Sequence, residues 1–213
     1  FLEHGGYQTP DAVVAITPAV LTNLLTITGP IALPEYQKTL TAENVIDELQ
    51  NSVENEYDRT ENKPKKIIGD MMSVLVERLT KLKGNDMLQA TALLYDSLSQ
   101  KDILLYHQNE EMQQLLSQAG WDGSVNTDWK DDYLMVVNSN IAGQKTDKVM
   151  TQDIIKDTTI HENGAVTTTL TIRRTHTGIK GAEFTGVRNV NFMRVMVPEG
   201  SELLSATGFT YPD

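Results

Sequence analysis

The sequence predicts an α+β protein, with a layered α/β-type first part carrying several helices and a mainly antiparallel β part after it. Three observations predict this. Residues 11–32, DAVVAITPAVLTNLLTITGPIA, read as strand, tight turn, short helix, sharp stop and second strand. Residues 41–118 carry apolar side chains at helical spacing. From Trp121 onward the texture changes to polar loops, alternating Thr-rich runs and turn signals.

The opening unit comes first. Residues 12–16 are apolar and β-leaning, the pattern of a strand covered on both faces. Thr17 is placed to cap a helix with its hydroxyl, and Pro18 suits the first helical position because its missing N–H would have had no partner. Val20, Leu21, Leu24, Leu25 and Ile27 recur on one helix face. Gly29 supplies a left-handed stop and Pro30 prevents continuation. Residues 30–33 then run as an edge strand. Ahead of this unit, Gly5 and Gly6 match neither a GxxxxGK[ST] loop nor a GxGxxG turn.

A second helix is expected from Thr41, with Val45, Ile46, Leu49 and Val53 inward and Asp47, Glu48, Glu54 and Glu56 on a solvated acidic face. A charged connection follows, and Lys63, Lys65 and Lys66 form the only basic cluster in the chain. With Arg59 they are the candidates for binding phosphate, because lysine meets phosphate as a point charge and needs little geometry. The third helix, residues 67–82, buries Ile67, Met71, Leu75 and Leu79 and ends at Gly84. Asn85 or Asp86 caps a fourth, residues 87–99, with Leu88, Leu94 and Leu98 inward. A strand at 103–106 and a helix from Asn109 to Gln118, closed by Gly120, complete this part. His107 lacks acidic or Ser partners nearby in sequence, which makes it a weak catalytic candidate.

The first part is assigned to residues 1–120 and the β part, sandwich-like, to residues 121–213. The junction WDGSVNTDWKDD holds Asp122, Asp128, Asp131 and Asp132, oxygen donors for Ca²⁺ or Mg²⁺ whose spacing does not match an EF-hand loop. Trp121 and Trp129, with Tyr133, are the candidates for stacking on a sugar; the alternative is that they cover the junction of two layers. Strands are expected at 133–138, 153–161, 165–174 and 189–197. Asn163-Gly164 is the turn of a hairpin.

Bulk properties narrow the function. The formal net charge is −11 and the pI about 4.8, against a general nucleic-acid binder and against adsorption to anionic lipid. No apolar run approaches a bilayer span. The absence of cysteine excludes disulfides and thiolate chemistry and is compatible with an exported bacterial protein. No cofactor is implied beyond a possible Mg²⁺ or Ca²⁺. No GxSxG is present, and the four histidines lie in unrelated contexts.

GGYQTPDAVVAITPAVLTNLLTITGPI, LTAENVIDELQ, KDILLY, GWDGSV, VVNSNIAGQKTDK and NFMRVMVPEGSELLSATG occur in the order that resembles bacterial proteins of domain-of-unknown-function family 4012. The resemblance implies an extracytoplasmic, membrane-anchored envelope protein of unestablished role. Its partners would be envelope components or other surface proteins, and its anchor a helix ahead of this chain. More distantly, the order of elements is similar to the later part of LytR–CpsA–Psr domains. That similarity implies a phosphotransferase on lipid-linked glycopolymers, with Arg59 and the lysines at phosphate and Asp58 helping to hold Mg²⁺. A structural or binding role is the first expectation, with the phosphotransferase and a carbohydrate-binding module as alternatives.

Overall fold

The computed structural model describes residues 10–125 and 132–209, and the chain falls into two units that divide after Val125. The first holds, in order, β1 (Ala12–Ile16), α1 (Pro18–Thr28), β2 (Ile31–Leu33), β3 (Lys38–Leu40), α2 (Val45–Glu54), α3 (Lys66–Lys81), α4 (Gly84–Ser99), β4 (Ile103–His107) and α5 (Glu110–Gln118). The second holds β5 (Met135–Asn140), β6 (Met150–Ile160), β7 (Val166–His176) and β8 (Asn191–Met196). Helices and antiparallel strand pairs make the architecture α+β, as expected.

α1 is the centre of the first unit. Pro18 opens it, and Val20, Leu21, Leu24 and Leu25 are buried. Gly29 stops it at φ 77° and ψ 174°, a backbone conformation that glycine alone adopts without strain, with its N–H on the Leu25 carbonyl at 3.0 Å. Around α1 pack Ile31 and Leu33 of β2, Leu40 of β3, Val45 and Leu49 of α2, and Ile67, Met71 and Leu75 of α3. Each such side chain contributes about 1.5–3 kcal/mol on leaving water. The Arg78 guanidinium of α3 donates through Nη1 to the carbonyls of Thr28, Gly29 and Pro30 at 3.0, 3.1 and 2.7 Å. The end of α1 is thus satisfied by a side chain from another helix.

Several expectations change here. Thr17 sits at the N-cap position but makes no side-chain cap; its hydroxyl donates to Asp102 Oδ1 at 2.9 Å and its N–H to the Asp102 carbonyl. A tertiary partner has displaced the local one. β1 is not covered on both faces: Val14 is 62% and Ile16 40% exposed, and among the described residues only β4 pairs with it. β1 and β2 do not share a sheet. β2 pairs instead with β3, three residues long and too short to show a period. α2 begins at Val45, after a turn in which the Thr41 hydroxyl accepts from the Glu43 and Asn44 N–H groups and Asn44 Oδ1 accepts from the Thr41 N–H. Gly84 opens α4 rather than closing α3, neither Asn85 nor Asp86 caps it, and Leu88 points outward at 70% exposure.

The second unit is held differently. β5 pairs with β8 and β6 with β7, all antiparallel. The β6–β7 hairpin runs in register from Met150↔His176 to Ile160↔Val166, longer than expected at its root and one residue shorter on each strand at its tip. At its tip only Gly164 takes a positive φ, while Asn163 accepts the Ala165 N–H through its side chain. Among the described residues every buried apolar side chain lies in the first unit. A two-stranded ribbon is marginal in water on its own, so the polar network at the root of the hairpin matters. Thr146, fully buried, donates to the Gly143 carbonyl at 2.5 Å and accepts from Asn140 Nδ2 and Asn189 Nδ2. Asn140 Oδ1 accepts the Gly143 N–H at 2.7 Å, and Asn189 also donates to Asp147 at 3.0 Å.

Candidate functional site

The residues singled out in the sequence do not gather into one site. Lys63 pairs with Glu61 at 2.8 Å and Lys66 with Glu35 at 2.6 Å, and the Lys66 ammonium lies 5.9 Å from the Tyr36 ring centroid. Glu35 holds the Lys66 ammonium above its usual pKa, chiefly through their hydrogen bond. Asp58 accepts the N–H groups of Thr60 and Glu61 and so closes its own turn. Arg59 is exposed and Lys65 occupies the N-cap position of α3. The Tyr36 hydroxyl donates to Asp70 at 2.5 Å. Its pKa is pushed up to about 12, first by burial and then by that carboxylate.

Asp122 accepts from the Ser117 hydroxyl, from the Ser124 N–H at 3.0 Å and hydroxyl at 2.8 Å, and from Gln113 at 3.3 Å. These donors, the Ser117 hydroxyl foremost, lower its pKa to about 2. Its lone pairs therefore serve a turn. Asp132, in the other unit, pairs with Lys156. Asp128, Asp131 and Trp129 lie outside the described residues. Among those described, no three His, Asp or Glu side chains converge as metal ligands. Trp121 is half-buried, with its carbonyl on the Leu105 N–H at 2.8 Å, and half-buried Tyr133 directs its hydroxyl to the Met135 sulfur at 3.3 Å. His107 Nδ1 accepts the Asn109 N–H at 3.0 Å, a turn role.

The constellation that does converge is in the second unit. At the root of the β6–β7 hairpin lies an open cleft of about 670 Å³. Arg174, His176, Lys180 and Arg188 line it, with Asn189 and Asn191. Met150 and Val187 provide apolar wall, and no carboxylate contributes to the lining. Each element is placed by local structure. Arg174 and His176 leave the end of β7 on one face, two residues apart. Arg174 is then fixed: Nη1 donates to Asn189 Oδ1 at 3.2 Å, and Nη2 lies 3.8 Å from Asp147. His176 Nδ1 accepts the Gly178 N–H at 3.2 Å, which puts the proton of the neutral ring on Nε2.

Lys180 and Arg188 come from the loop 177–190. That loop is closed on itself: the Gly181 N–H meets the Gly186 carbonyl at 3.1 Å, and the Gly186 N–H meets the Ala182 carbonyl at 2.8 Å. A Cβ at Gly186 would fall 2.2 Å from the Ala182 nitrogen and 2.5 Å from that of Gly181, so the closure requires glycine. The Lys145 N–H ties the loop to its neighbours through the Phe184 carbonyl at 2.9 Å. Lys180 and Arg188 are exposed and have no ion-pair partner among the described residues. In a chain of formal charge −11, this is a local concentration of uncompensated positive charge. Sequence reading missed it because the four side chains are spread over fifteen positions of a strand and a long loop. The signal available was the Arg173-Arg174 and His176 strand end followed by a loop with Lys180 and Arg188.

A family model described as "Protein of unknown function (DUF4012)" matches residues 1–53, which supports the assignment to family 4012 read from the sequence. The match covers the front of the first unit. No curated protein and no solved structure matches the chain.

Proposed function

We propose that this chain is an extracytoplasmic protein of the bacterial cell envelope, that its role is binding rather than catalysis, and that the cleft of its second unit holds an anionic group. The cleft carries the reading: four nitrogen side chains line a space that no carboxylate lines. Arg and Lys here can donate to phosphoryl, sulfate or carboxylate oxygens. The resemblance to family 4012 supports the location, and the absence of cysteine is compatible with it. Among the described residues no helix is long and apolar enough to cross a membrane, so the anchor the resemblance implies would lie in sequence other than these residues.

The binding role is tested by titrating the isotope-labelled chain with inorganic phosphate at fixed ionic strength while following amide resonances. Shifts centred on Gly178, Gly186 and Arg188 are expected. Shifts confined to Lys63, Lys65 and Lys66 would move the site to the first unit, and none anywhere would end the anion-binding reading. Protease treatment of intact cells carrying the tagged full-length protein tests the location; full protection in intact and wall-stripped cells alike would refute it.

A further inference from the structure

We infer that the ligand of this cleft carries two anionic groups on one small molecule, one held by Lys180 and the other by Arg188. The inference rests on the binding role proposed above and adds the ligand's charge pattern. The cations of the cleft are unequal. Arg174 already faces Asp147 and spends Nη1 on Asn189, so it orients the wall and is largely neutralised. His176 has one ring nitrogen engaged by the Gly178 N–H. Lys180 and Arg188 have no hydrogen-bond or ion-pair partner among the described residues.

Their placement supports two groups rather than one. Lys180 directly precedes the closed loop 181–186 and Arg188 follows it by two residues, so the two stand on opposing arms of one backbone closure. The closure holds like charges on one cleft, and nothing among the described residues compensates them. Glu183, the acid of this loop, does not line the cleft. A molecule with two anionic groups relieves both charges at once, and its second contact forms without a second loss of translational freedom. Diphosphates and di- or tricarboxylates share this chemistry.

The experiment compares matched probes on the full chain at fixed ionic strength: inorganic phosphate against pyrophosphate, and acetate against tricarballylate. Amide shifts locate binding and calorimetry measures it. Pyrophosphate is expected to bind at least about tenfold more tightly than phosphate, or tricarballylate than acetate, since one further charge-assisted contact is worth about that factor. The pair that shows the gain assigns phosphoryl or carboxyl chemistry. Lys180→Gln and Arg188→Gln should each remove about tenfold from the tighter probe while leaving the weaker one nearly unchanged. Arg173→Gln is the control: it deletes the same charge on the neighbouring strand position, opposite Asp153 and outside the cleft. Probes with one anionic group and with more than one that bind the cleft equally would overturn the inference while leaving the anion-binding role standing. Equal loss from Arg173→Gln would overturn it as well, by reducing the effect to net charge. No cleft shift from any probe would overturn both.

Discussion

Arg78→Leu should destabilise the first unit by about 2 kcal/mol. The guanidinium Nη1 has two hydrogens shared among the carbonyls of Thr28, Gly29 and Pro30, all within 3.1 Å. A hydrogen bond to a charged group is worth about 1.5–3 kcal/mol, and a cation at a helix C-terminus adds a few tenths more. Against that, the three carbonyls are only partly covered and water will take some of them back, which holds the loss near the lower half of the range. Urea unfolding followed by circular dichroism at 222 nm is the appropriate assay, because all five α-helices among the described residues belong to the first unit. With a slope of about 1.5 kcal/mol/M, the midpoint should fall by about 1.3 M. Arg78→Lys keeps the charge but offers an ammonium without the planar fork, and should lose about half as much. Lys81→Leu removes only an exposed pair with Glu77 and should cost less than about 0.5 kcal/mol. An Arg78→Leu variant within about 0.5 kcal/mol of the parent, or indistinguishable from Lys81→Leu, would refute the capping role.

Two further outcomes follow from the same geometry. Thr146→Val preserves shape but removes from a fully buried spot the acceptor that Asn140 and Asn189 share and the donor to the Gly143 carbonyl. It should cost about 1–3 kcal/mol and broaden the amide signals of the cleft, whereas Ser at that position should retain most of the stability; an unperturbed spectrum would show that the network does not organise the second unit. Asp122 contributes stability in one direction only: its folded pKa is lowered from 3.8 to about 2, so its contribution is present above about pH 4 and is lost as the pH falls toward 2. At partial exposure this is about 1 kcal/mol, and Asp122→Asn should flatten the parent's loss of stability between those pH values; an unchanged acid profile in that variant would refute it.

Much of the first unit was legible because it is built on periodicity. The buried positions of α1 and α3 are those with helical spacing, and Gly29 and Asn109 act where their chemistry requires: Gly29 stops α1, and Asn109 caps α5 through the Met112 N–H at 3.0 Å. What was not legible depends on partners far away in sequence. Thr17 looks like a cap until Asp102, 85 residues on, takes its hydroxyl. β1 reads as a buried strand because side-chain type records apolarity and not how many neighbours arrive. Lys63 and Lys66 read as a basic cluster, yet Glu61 and Glu35 are within salt-bridge distance, and the second of these is 31 residues away.

The same logic explains why a site appeared where none was expected. Clustering along the chain is a poor guide to charge at a surface, since adjacent lysines meet the acids of their own neighbourhood. In this acidic chain an uncompensated cation requires a backbone that withdraws it from carboxylates. The closed loop 181–186 does this for Lys180 and Arg188, whereas Arg174 keeps Asp147 beside it and is held in the wall by Asn189, which Thr146 fixes. The second unit therefore uses its buried polar bonds where the first uses apolar packing. Its polar root sets both the register of the hairpin and the walls of the cleft, so a variant that loosens Thr146 should weaken anion binding in proportion to its loss of order, without touching a single lining cation.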